Sequence, residues 1–217
     1  MPYSTFENPY PNEPEFLTPA VLKKAYTTVI EQMPARIELI SRYLRETRGY
    51  DLTPGSPLLK FDELPGVITS LGNLTLLASH ANEANLGSSD PQESPLWISN
   101  VPRFGPDIET INMISDASLL WGEAFRHLYP ESQWAMGAKP KSSIDYGYPL
   151  IKGVDIFGEQ FNTRRLLMAH VCRLLLGQQN DKSLSWLTYK NAYRLGFIED
   201  PYPTPMSDRE RKQRGLI

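Results

Sequence analysis

Glu123 and His127 are the residues whose types and spacing most directly suggest chemistry. They stand four positions apart in one helical pattern, so they share a face and could hydrogen-bond or supply half of a metal site. Two ligands do not hold a metal, and no HExxH, paired Cys/His set or third ligand at recognisable spacing accompanies them. The expected role is a local ion pair and a contact with the negative end of the helix dipole. His170 falls inside the most apolar helical pattern, the setting of a hydrogen-bonded core histidine, and His80 lies at the edge of a polar segment. Cys172, the single cysteine, can form neither an internal disulfide nor a thiolate cluster, and its surroundings VCRLLL predict a buried, inert thiol. Neither a Gly-x-Ser-x-Gly elbow nor a GxxxxGK[ST] loop occurs, and the glycines near Gly147 and Gly153 are too far apart for a dinucleotide fingerprint. Carboxylate pairs such as Asp62/Glu63 and Glu199/Asp200 lie in loop-like segments that leave them solvated. No catalytic residue, metal or cofactor is expected.

What remains is a set of aromatic and basic side chains suited to binding. Of the four tryptophans, Trp121 and Trp134 read as core at a helix-to-strand corner, whereas Trp97 beside a polar loop and Trp186 on a basic helix read as partly exposed. Residues 1–157 hold 12 Lys and Arg against 19 Asp and Glu, and residues 158–217 hold 10 against 6. The C-terminal part is therefore the basic end. Its charges suit an acidic protein surface as well as a phosphate backbone, but the net charge of −3 disfavours non-specific nucleic-acid binding. The expected binding residues are Trp97, Arg103, Glu123, His127, Arg164, Arg165, Trp186, Lys190 and Arg194.

The elements that must position these residues read as follows. Residues 1–17 carry Pro2, Pro9, Pro11 and Pro14 between aromatics and predict an extended arm, packed either on its own domain or on a partner subunit. Thr18-Pro19 is a helix start, and the apolar spacing runs to Gly49 as two helices or one bent at Pro34. The leucine-rich run from Val67 to Leu77 suggests a buried helix, and residues 81–95 a mobile loop. Residues around Trp97, Ile98, Val101 and Phe104 suggest a short extended piece. The longest helix is expected over 106–128, two or three short strands between Gln133 and Phe157, a central helix over 159–176 capped by Gly177, and a last helix over 183–196. Residues 201–217 form a basic tail.

The whole is a mainly helical α+β fold with a small antiparallel sheet in the second half: an arm, one domain over 18–200, and the tail. The 217 residues, 41% hydrophobic, suffice for a core without staples. No run approaches the roughly eighteen apolar residues of a membrane span, and the N-terminus lacks the basic and apolar segments of a signal peptide, so the expected location is the cytoplasm.

The order of landmarks over residues 116–153, DASLLWGEAFRHLYPESQW followed by YGYPLIKG, resembles a pattern in uncharacterised, largely actinobacterial proteins of toxin-immunity type. The preceding RIELISRYLRETRGYDLTPGSPLLKFDEL is similar to their helical region. The resemblance implies a small binding protein that neutralises a partner and assigns no catalytic residue. On the residues themselves, Gly122 would let its helix approach the strands closely and Glu123 would bond a backbone amide. The leading expectation is a non-catalytic module that binds a protein partner or a second copy of itself. Its rivals are an enzyme with a scattered site around Glu123 and His127, and a nucleic-acid-associated protein using the basic end.

Overall fold

The computed structural model describes residues 3, 9, 17–76, 104–137, 145–153, 160–178 and 182–198. Thr18 opens α1 (Pro19–Arg48) by accepting the Val21 amide on its hydroxyl, and Gly49, at φ 62°, closes it by donating to the carbonyls of Leu44 and Arg45. Pro34 neither ends nor divides this helix, so of the two expected alternatives the chain takes the single helix. The proline side chain is on the exposed side, where the orphaned carbonyl one turn back can be hydrated. Leu22, Val29, Met33, Ile40 and Leu44 meanwhile form a buried stripe that runs past it on both sides, so packing overrides the local breaker.

A four-residue turn of helix, α2 (Leu58–Phe61), leads to α3 (Leu64–Leu71). The helix expected through Leu77 stops there: Gly72 is extended, and Leu74–Leu76 form β1, antiparallel to β2 (Phe104–Pro106). A short run of leucines fits a buried strand as well as a helix, and pairing decides between them. Asp107 then caps α4 (Ile108–Leu128) by accepting the Thr110 amide at 2.8 Å. In the second half β3 (Gln133–Met136), β4 (Pro149–Lys152) and β5 (Gln160–Phe161) form an antiparallel sheet in chain order, with Trp134 opposite Ile151 and Ile151 opposite Phe161. Asn162 and Ser183 cap the last two helices, α5 (Thr163–Leu175) and α6 (Leu184–Arg194).

One apolar cluster joins Ile40 and Leu44 of α1, Phe61, Ile68, the inner face of α4, Ile151 and Phe161 of the sheet, Leu167 and Val171 of α5, and Leu184 of α6. The long helix α4 is the central one, burying twelve of its 21 residues, whereas α5, whose apolar sequence also suggested a central place, buries four of thirteen. At the middle of the cluster Trp121 is fully buried, packs edge-on against Phe161 and donates its indole N–H to the Thr188 hydroxyl at 2.9 Å. The mainly helical α+β architecture with its small sheet is the one the sequence predicts. Trp97, Arg103, His80, the loop over 81–95 and the tail over 201–217 lie outside the described residues.

Candidate functional site

Glu123 and His127 do not form a joint site. The Glu123 carboxylate accepts the Trp134 indole N–H and, at 2.8 Å, a guanidinium N–H of Arg126. The expected bond from a backbone amide is replaced by the indole, because α4 and β3 meet so closely. A Cβ on Gly122 would lie 2.3 Å from the Trp134 ring, so only glycine leaves room for the tryptophan to reach its neighbour Glu123. His127, one turn further along α4, is exposed, and its Nε2 would be 3.8 Å from a Cβ on Gly55. Among the described residues no group of three His, Cys, Asp or Glu side chains could hold a metal ion. Cys172 is half-buried, and burial pushes its thiol up from the usual range, which disfavours the reactive thiolate.

Arg164 and Arg165 open α5 beside the sheet. Arg164 donates to the Ser115 hydroxyl at 3.3 Å and stacks its guanidinium 4.9 Å from the Tyr148 ring centre, and Arg165 meets Asp145 at 3.4 Å. Asp145 also accepts from Asn162 at 2.7 Å, so these arginines tie α5 to α4 and to the turn before β4.

Trp186, Lys190 and Arg194 are brought onto one line of α6 by their four-residue spacing. Lys182, which precedes the helix, completes the group: the ammonium groups of Lys182 and Lys190 stand 4.2 and 5.0 Å from the centre of the Trp186 ring, within cation–π range. Tyr189 beside them is 42% exposed. This end of α6 is clamped from two directions. The Asp62 carboxylate accepts both the amide and the hydroxyl of Ser185, at 2.7 and 2.6 Å. His170, the expected core histidine, places Nε2 2.9 Å from the Lys182 carbonyl and Nδ1 2.9 Å from that of Leu166. Backbone held in this way needs no further ordering when its side chains meet a partner.

A second polar constellation is buried, and the sequence reading missed it. The phenol of Tyr3 donates to Asp116 Oδ2 at 2.6 Å, and Arg36 donates to Asp116 Oδ1 through Nε and Nη2, both at 2.5 Å. The Tyr3 ring packs edge-on against Tyr43 at 4.9 Å, and its amide donates to Glu109. Tyr3 is 4% exposed, so this part of the arm packs on its own chain, the first of the two alternatives left open above. The available signal was Asp116 itself, spaced three and four residues from the buried Met113 and Leu120 on the apolar stripe of α4.

Burial raises the Asp116 carboxyl above its ordinary range, opposed by the Arg36 charge and by the Tyr3 hydrogen bond. Burial and then the Asp116 charge push the Tyr3 hydroxyl far above the usual phenol range. Unfolded, that phenol loses its proton near pH 10; folded, it keeps it. The folded state therefore binds one proton more from about pH 10 upward, and its stability falls there with a slope of about 1.4 kcal/mol per pH unit for this group. The Tyr3 contribution is complete below pH 10. In urea unfolding, the advantage of the wild-type chain over Y3F is expected to be constant from pH 7 to 9 and to shrink between pH 10 and 11.5; an unchanged gap would refute the linkage.

Set against protein-family models, curated proteins and solved structures, the chain matches none. Among the described residues no helix is long and apolar enough to cross a membrane.

Proposed function

We propose that this chain is a non-catalytic protein-binding module, of the immunity or accessory type that the sequence resemblance implies, and that the start of α6 makes the contact. The observation that carries the reading is the Trp186 ring with the ammonium groups of Lys182 and Lys190 over it, near the exposed Tyr189. Aromatic residues and cations on a clamped helix make a favourable anchor for a partner whose surface is acidic. The exposed Lys182 selects for carboxylates, and the tryptophan and tyrosine supply the apolar area that a surface ion pair lacks.

The reading is tested with Lys182→Glu, a reversal at an exposed position, and Trp186→Phe, which preserves the packing of the ring's inner edge. Immobilised wild-type chain is expected to retain a defined protein from an extract of its native cells. K182E should bind that protein at least tenfold more weakly with an unchanged circular dichroism spectrum, and W186F should bind it more weakly too. Equal retention by all three chains would remove the α6 face from the interaction. Salt-dependent retention on DNA or RNA that K182E abolishes would assign the face to nucleic acid instead.

A further inference from the structure

We propose that Arg36, Tyr43, Glu109 and Asp116 form a receptor for a phenol, and that Tyr3 is its internal ligand, closing the site as a plug. Every part of the receptor belongs to α1 or α4, and the nearest of them in sequence to Tyr3 is Arg36. These helices pack against each other, and the Arg36–Asp116 bond spans them. The receptor is therefore built whether or not Tyr3 occupies it.

Its chemistry is matched to a phenol in three ways. The Tyr43 ring offers an edge-on aromatic wall at 4.9 Å. Asp116 Oδ2 accepts the hydroxyl at 2.6 Å, while Oδ1 is engaged by Arg36, which fixes the carboxylate in the orientation the hydroxyl needs. Glu109 accepts the amide of the residue that bears the phenol, a contact open only to a tyrosine within a peptide. Removing the side chain at position 3 leaves a ring-sized space with an acceptor aimed into it, the kind of cavity that takes up a molecule of the missing shape.

The experiment uses the full-length Tyr3→Ala chain and 4-methylphenol, which is the tyrosine side chain alone. The compound is expected to raise the melting temperature of Y3A by several degrees and to leave that of the wild type unchanged. Toluene, which has the same shape without the hydroxyl, should bind Y3A at least tenfold more weakly. If Y3A does not fold alone, near-ultraviolet circular dichroism on addition of 4-methylphenol supplies the readout, and native signal should return. Neither stabilisation nor recovery, or equal binding of toluene and 4-methylphenol, overturns the proposal. A peptide of residues 1–17 separates the two sources of the ligand. Displacement of 4-methylphenol by the peptide identifies a chain-borne tyrosine as the ligand, and binding of 4-methylphenol that the peptide does not displace identifies a free small phenol and overturns Tyr3 as the internal ligand.

Discussion

Replacing Asp116 with Ala is expected to cost the fold about 3–5 kcal/mol, the penalty for leaving a buried cation without its counter-ion. Arg36 is 8% exposed and Asp116 1%, so the lost carboxylate leaves a gap shielded from bulk solvent. Three donors would face the gap, the Nε and Nη2 of Arg36 and the hydroxyl of Tyr3, and each unsatisfied buried donor costs about 1–3 kcal/mol. Asp116→Asn keeps the shape and one acceptor, and should fall between Ala and the wild type. The native pair need not be strongly stabilising for this to hold, because desolvation offsets most of its attraction. Removing all the polar partners together, as in Y3F/R36M/D116L, is accordingly expected to be far milder than D116A alone. Urea unfolding of the four chains at pH 7 is the measurement. A loss under about 1 kcal/mol for D116A, or a triple variant less stable than the single one, would mean that the network is hydrated rather than buried.

Much of the helical architecture was legible because its signals are local. Thr18, Asp107 and Ser183 each accept an amide of the first turn that follows, and Gly49 takes the left-handed conformation that ends α1. At two places distant residues outweigh local preference. Pro34 carries a helix-breaking signal, yet α1 continues because its buried stripe is continuous with α4 beneath it. Leu74 to Leu76 carry a helix-compatible run, yet they pair with Phe104 to Pro106, a partner about thirty residues away that periodicity cannot indicate.

The candidate sites divide along the same line. Trp186, Lys190 and Arg194 could be grouped from their four-residue spacing, and that spacing does place them on one side of α6. The clamp that fixes them could not be read: Asp62 and Ser185 are 123 residues apart, and neither is unusual where it stands. Asp62 had the look of a solvated loop charge, and only the chain's return past it makes it the acceptor of the Ser185 amide and hydroxyl. The Glu123–His127 pair shows the converse error. Shared helical spacing allowed the contact, but Arg126 and Trp134 offer Glu123 better donors, one of them on a strand brought against α4 by Gly122.

That close approach yields the second large effect. In an open helix, replacing glycine with a residue that bears a side chain usually stabilises, by up to about 1 kcal/mol. At Gly122 the sign is expected to reverse. A Cβ there would lie 2.3 and 2.4 Å from two atoms of the Trp134 ring and 3.3 Å from the Ile151 side chain, so the strand or the indole must move. Gly122→Leu should cost about 3 kcal/mol, at the upper end for overpacking a filled interior. It should also shift Trp134 fluorescence to the red as the ring is displaced towards water and away from Glu123. Because the clash is with one identified side chain, the cost should depend on it. In a Trp134→Val background G122L is expected to cost at least about 1 kcal/mol less than in the wild type, as coupling between contacting residues requires. Additive losses in this double-mutant cycle would place the strain elsewhere than at the contact of α4 with β3, and would remove the reason for glycine at the position where helix and sheet meet.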